Sequence, residues 1–208
     1  MKLITKAALL VSLLALPVFI YIFLQLFGQN YYELPIYYRD GVSNPPINCQ
    51  KSHSTPLRVD LASLKDNANI SKQGKISIIA FMASDCGKNC QIKLNQINRL
   101  VNFFLPQKDS LQAIVAVEGN RKEDVFPQFN NSGSLYFVSL TEIELQDFIE
   151  CELLLPLSDQ NEVEHINQFV LLDEQNRIRG YYNGLSLEEI DRLTTEIRLL
   201  LYEYQHQS

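Results

Sequence analysis

The sequence of 208 residues carries no long block of basic side chains, and its 18 Lys and Arg against 24 Asp and Glu leave a formal net charge of −6. That balance supplies no field for holding a polyanion, so no nucleic-acid partner is expected. Glycine and proline are scarce at 8 each, and no internal repeat or low-complexity tract breaks up the chain. A repeat array is therefore not expected. With 46% hydrophobic residues, the length suffices for one sizeable core but hardly for two. Charge is also missing locally, since no charged residue occurs between Lys6 and Glu33.

Within that uncharged stretch, the 21 residues from Ala7 to Phe27 are apolar except for Ser12, Pro17 and Gln25. A helix rising about 1.5 Å per residue would carry this run across a hydrocarbon core of roughly 30 Å, so residues 7–27 are expected to form one transmembrane helix. Lys2 and Lys6 precede it with no acid nearby, which places the N-terminus in the cytoplasm and the rest of the chain outside. Tyr31, Tyr32, Tyr37 and Tyr38 follow at the outer end, where amphipathic rings favour the interface. A cleaved signal peptide is the competing reading. Gln25-Leu26-Phe27-Gly28-Gln29, however, offers neither a small-residue cleavage site nor a lipobox cysteine. The absence of an Arg-rich, Ser-rich transit peptide favours a bacterium, hence a single-pass protein of the inner (cytoplasmic) membrane with its C-terminal domain in the periplasm. Without residues 1–30 the chain holds 16 basic and 24 acidic side chains, a net charge of −8.

The expected organisation is an N-terminus and anchor over 1–30, a linker over 31–56 rich in Pro, Asn and Ser, and an exported domain over 57–208. Ile76 to Met82 is a short apolar, β-branched run, as expected for a strand buried on both faces. Ile92, Ile97, Leu100, Val101 and Phe104 then recur at helical spacing until Pro106. Leu111 to Val117 and Leu135 to Leu140 predict two further strands. Thr141-Glu142-Ile143-Glu144 has capping-box form, as does Ser186-Leu187-Glu188-Glu189, which opens the last amphipathic helix. Between them, Phe169 to Asp173 and Arg177 to Tyr182 flank a tight turn and predict an antiparallel hairpin. Early βα units followed by a hairpin and a terminal helix give an α/β fold, a thioredoxin-like mixed sheet flanked by helices.

The four cysteines are Cys49, Cys86, Cys90 and Cys151. Cys86 and Cys90, in Asp85-Cys86-Gly87-Lys88-Asn89-Cys90, fall between a buried strand and a helix, and their spacing of about one turn points both sulfurs the same way. The helix N-terminus and Lys88 favour thiolate over thiol there, and two soft thiolates side by side can form a disulfide or bind Cu(I). Two ordinary core cysteines, or an inert disulfide, are the competing readings; a polar loop at a strand-to-helix junction is a poor core. Of the three histidines, His165 stands just before the hairpin, whose entry loop in this topology lies beside the loop leaving the preceding parallel strand. It is placed to supply a third, imidazole ligand. His53 and His206 occupy a linker and a chain end and suggest no fixed metal role. Cys49 and Cys151 either pair in an oxidising compartment or stand as two independent thiols.

Over roughly residues 75–204 the sequence resembles the Sco/SenC family. The resemblance rests on Cys86-x-x-x-Cys90, on Val163-Glu164-His165 followed by Phe169-Val170-Leu171-Leu172-Asp173, and on Arg177-Ile178-Arg179-Gly180-Tyr181-Tyr182-Asn183-Gly184. It departs from the family at Gly87 and Gln91, where proline is usual after each cysteine, and at Glu164, where aspartate is usual. The resemblance implies a membrane-tethered thioredoxin-like protein that binds copper through Cys86, Cys90 and His165. It further implies delivery to the copper-binding subunit of cytochrome c oxidase. The alternative is a membrane-tethered thiol-disulfide oxidoreductase using Cys86 and Cys90 as its redox pair, chemistry that needs no histidine.

Overall fold

The computed structural model describes residues 2–27, 34–43, 46, 49, 54–64, 70–83, 87–119, 134–155 and 166–206. They fall into two compact units, Met1–Glu33 and Leu34–Ser208. The first is helix α1, Lys2–Phe27, with Pro17 inside it. Its described side chains, Lys6, 11–23 and Gln25, are exposed, including Val11, Leu13, Leu14 and Phe19. Among the described residues no helix is long and apolar enough to cross a membrane. The consecutive described side chains 11–23 would cover only about 20 Å of a bilayer core. The longer span over 7–27 is a property of the sequence.

The second unit is built on a five-stranded sheet: β1 Ile76–Met82, β2 Leu111–Glu118, β3 Leu135–Leu140, β4 Gln168–Leu172 and β5 Ile178–Asn183. Spatial order is β3-β2-β1-β4-β5. β1 pairs parallel with β2, and β2 with β3, whereas β4 runs antiparallel to both β1 and β5. This is the mixed sheet expected from the order of elements, with the C-terminal hairpin beside the first strand. All seven residues of β1 are buried because helices cover both faces, which is why the strand reads as an unbroken apolar run.

One face packs against α2, Gly87–Phe103, and against the C-terminal helix, Leu187–His206, here α4. Ile78, Ala80 and Met82 of β1 meet Leu94, Ile97 and Val101 of α2 and Leu193 and Ile197 of α4 in that layer. The opposite face takes Ile79 and Phe81, which lie with Leu57, Val59, Leu61, Leu64 and Ile70 and with Leu145, Phe148, Ile149 and Leu153. The Thr141 capping box is formed: its side chain accepts from the Glu144 backbone N–H while the Glu144 carboxylate accepts from the Thr141 N–H. The helix it opens, α3 Glu142–Asp147, widens into a π-helical stretch, Phe148–Glu152, that the sequence pattern did not indicate.

Tyr37 and Tyr38, expected at a membrane interface, are instead used by the domain. Tyr37 meets Tyr181 edge to face at 5.2 Å, and its N–H donates to the Ile178 carbonyl at 2.9 Å. The Tyr38 hydroxyl donates to the Leu154 carbonyl. Buried Arg179 donates to the Leu34 carbonyl, so residues 34–38 are fixed alongside β5. Cys49 and Cys151, left open by the sequence, are joined in a disulfide.

Candidate redox and metal site

At the carboxyl end of β1 the chain turns into α2, whose first residue, Gly87, has φ +47°, a left-handed conformation glycine adopts without a Cβ penalty. Cys90 follows in the first turn, half-buried and packed against the α2–α4 layer, and it is disulfide-bonded. Lys88 beside it is exposed. In parallel α/β sheets this end, beyond the carboxyl ends of the strands, is where ligands bind. Cys86 and His165, the other two residues expected to act with Cys90, lie outside the described residues, as do Asp85, Glu164 and His53. Among the described residues no group of three His, Cys, Asp or Glu gathers to hold a metal ion.

What the described residues do fix is the approach of the segment next to His165. β4 begins beside the end of β1, with Phe169 paired to Ala80, so the chain entering β4 arrives where β1 hands over to α2. Lys93 ties these pieces together. Its side chain is fully buried, and its ammonium donates to the Phe81 carbonyl at 2.7 Å and to the Ile166 carbonyl at 2.8 Å. Lys93 stands three residues after Cys90 on α2, hence on the neighbouring turn and the same side. Burial pulls its pKa down from 10.5 to about 8. Sequence reasoning passed over this lysine. The available signal was its position among Leu94, Ile97, Leu100 and Val101, inside the apolar stripe of α2 rather than opposite it.

The hairpin motif that carried the resemblance performs structural work here. Asp173, fully buried at the far end of β4, accepts from the backbone N–H groups of Gln175 and Arg177, from Arg177 Nε at 2.7 Å and from Arg179 Nη1 at 3.2 Å. Arg179 also meets Glu203 of α4 at 3.3 Å. Tyr182 buries its ring, stacks under the Arg192 guanidinium at 4.4 Å and donates its hydroxyl to Glu196. Burial, then the Glu196 carboxylate, pushes the Tyr182 pKa up. Gly184 is required by space: a Cβ there would stand 2.5 Å from Phe169 Cε1 and 2.9 Å from the Asn167 carbonyl oxygen.

His206 is exposed on the last turn of α4, its Nδ1 2.9 Å from the Tyr202 carbonyl oxygen and its ring stacked on Tyr202. Glu188, Glu189, Asp191 and Glu196 lie on this helix; Glu189 pairs with Arg192 at 2.6 Å and Asp191 with Arg99 at 2.7 Å. A groove of about 360 Å³ between α2 and α4 is lined by Arg99, Phe103, Asp191 and Arg198, with neither Cys90 nor Lys93 in its wall.

Strand order and site position define an α/β protein of thioredoxin-like topology with a disulfide-bonded cysteine at its first strand-to-helix junction. No protein-family model and no curated protein matches the chain. Solved structures similar to it include a SCO1/SenC family lipoprotein from Bacillus anthracis, with 15% identity over 62% of this chain and 83% of that one and a TM-score of 0.48. A candidate protein disulfide isomerase from Bacteroides thetaiotaomicron is similar at 21% identity, covering 71% of this chain and 81% of that one, with a TM-score of 0.49. Yeast Sco1 with copper bound is similar at 18% identity, covering 61% and 80%, with a TM-score of 0.40.

Proposed function

We propose that this chain is a membrane-anchored copper-binding protein of the kind its sequence resembles, with Cys86, Cys90 and His165 as ligands. In this reading it delivers copper to the copper-binding subunit of a cytochrome c oxidase, or maintains that subunit's thiols, during assembly. One observation carries the reading. Lys93, one turn beyond Cys90, holds the Ile166 carbonyl at 2.8 Å, so the residue adjoining His165 is anchored to the cysteine-bearing helix.

The donor set fits copper. Cys90 is disulfide-bonded, and Cys86, four residues before it in the sequence, is its proposed partner in the redox and ligand pair. Two electrons and two protons convert such a disulfide to two thiols. As thiolates beside an imidazole these are soft donors suited to Cu(I). The apolar run over 7–27, in a helix whose described side chains are exposed, supports the anchor. Two disulfide-bonded regions suit an oxidising compartment such as the periplasm.

Copper titration of the reduced full chain in detergent tests this. One copper per chain is expected, together with a Cu(II)–thiolate absorption that disappears in His165→Ala. A wild-type chain that binds no copper rules the reading out, and unchanged absorption in His165→Ala rules out the three-ligand set. The second reading, a thiol-disulfide oxidoreductase, is favoured by the disulfide at Cys90 in the first turn of a helix. There one thiolate attacks a partner's disulfide and the other resolves the mixed disulfide. A chain that binds no copper yet reduces a protein disulfide selects it.

A further inference from the structure

We propose that Lys93 is a positioning residue for the cysteine site: its buried ammonium clamps the end of β1 and the lead-in to β4 onto α2 and supplies an unscreened positive charge one helical turn from Cys90. The inference rests on the reading of Cys86 and Cys90 as a redox and copper-binding pair.

Lysine is almost never fully buried, because removing an ammonium from water is costly unless hydrogen bonds replace the lost hydration. Lys93 has two such bonds, and among the described residues it pairs with no carboxylate. Its neighbours on the inner face of α2 are Leu94, Ile97, Leu100 and Val101. Filling that space is a task an apolar side chain performs at lower cost. What a leucine or methionine cannot do is hold two carbonyls from different segments. Phe81 precedes the loop carrying Cys86, and Ile166 follows His165. One nitrogen therefore sets the separation of the two segments that flank the proposed ligands.

The charge has its own consequence. A disulfide is neutral, whereas a thiolate pair, free or on Cu(I), is anionic and is favoured by a nearby cation. Lys88 is exposed and its field is weakened by water and salt. Lys93 is buried, so its field is not. Lys93 thus biases the pair toward the reduced, copper-binding form.

The test is equilibration of the full chain in detergent with glutathione: two glutathione thiols reduce the Cys90 disulfide, giving two cysteine thiols and one glutathione disulfide. The fraction of Cys90 reduced is read by alkylation and peptide mass. Lys93→Met removes charge and donors, and Lys93→Gln removes the charge but keeps an N–H donor on a side chain one bond shorter. Each is expected to shift the equilibrium constant toward the disulfide by about tenfold or more, equivalent to about 30 mV, and to weaken Cu(I) binding. Lys93→Arg is expected to restore most of both. Ile97→Ala, which opens a cavity one turn further along α2, lowers thermal stability without moving the equilibrium. Folded Lys93→Met or Lys93→Gln protein within about twofold of wild type in this constant overturns the inference and leaves the copper reading standing. A wild-type Cys90 disulfide that glutathione does not reduce also overturns it, and the copper reading is then decided by titration of the chemically reduced chain.

Discussion

The two cysteine regions of the domain lie in unlike surroundings. The Cys49–Cys151 bond joins positions 102 residues apart, and Cys151 is 3% exposed in the π-helical stretch, beside the apolar layer formed by Phe148, Ile149 and Leu153. Cys90 is half-buried in the first turn of α2, in the layer on the other face of the sheet. A bond closing a long loop chiefly restricts the unfolded chain; Cys49 is half-buried, and it is the Cys151 sulfur that burial shields from attack. A bond at a helix N-terminus stabilises the folded state less and is open to exchange.

Substitution should separate these roles. Cys90→Ser is expected to abolish copper binding and thiol exchange, read by titration and alkylation, with the urea midpoint almost unchanged. Cys49→Ala combined with Cys151→Ala should keep the copper stoichiometry and lose about 4–5 kcal/mol of unfolding free energy, as a loop of about 100 residues implies. Urea unfolding that ranks the two variants in the opposite order would end the distinction.

Asp173 and Gly184 extend the contrast to the two ends of the hairpin. Asp173→Ala removes the buried carboxylate that Arg177 and Arg179 share and leaves Arg179 with the longer contact to Glu203, and a loss of about 3–5 kcal/mol is expected in urea unfolding. That cluster is at the end of β4 away from Ala80 and Phe169, so copper stoichiometry should not change. Gly184→Ala drives a methyl group against Phe169 and the Asn167 carbonyl, at a cost of about 1–3 kcal/mol. Asn167 adjoins Ile166, so this smaller lesion should also weaken copper binding. If Asp173→Ala disturbs copper and Gly184→Ala does not, the site has been assigned to the wrong end of the hairpin.

These assignments show which parts of the molecule were legible in the sequence. Strands β1, β2 and β4 announce themselves because burial on both faces demands continuous apolar runs, the partly buried edge strands β3 and β5 show shorter ones, and the Thr141 capping box is a local signal. The hairpin was legible through its turn, and its motif residues Asp173, Arg179 and Tyr182 hold β4, β5 and α4 together. The Cys49–Cys151 pairing was not legible, since only the fold brings such distant positions together. Tyr37 and Tyr38 misled because a ring that suits a membrane interface equally suits a protein surface with one carbonyl to satisfy. Lys93 was missed for the same kind of reason: a charged residue in an amphipathic helix is read as solvated unless its register is followed. Of the expected ligands, Cys90 is at the strand-to-helix junction as anticipated, and Cys86 and His165 lie outside the described residues.

The smallest effect expected is one of pH, and its rising limb belongs to the Cys90 side. Burial lowers the Lys93 pKa from 10.5 to about 8, so between these values the unfolded chain holds more protons than the folded one. Stability must then rise with pH across that window. The two carbonyl hydrogen bonds favour the charged form and so oppose part of that rise. Above pH 10 the trend reverses, because burial pushes the Tyr181 and Tyr182 pKa values up: both stay protonated in the folded state while tyrosines of the unfolded chain ionise. Urea unfolding from neutral to alkaline pH should therefore show a maximum near the pH at which free tyrosine begins to ionise. Lys93→Met should lose the rising limb and keep the falling one, whereas Cys49→Ala with Cys151→Ala should keep both. A Lys93→Met profile that rises as steeply as wild type would mean that another group titrates there and that the buried ammonium is held in its charged form throughout.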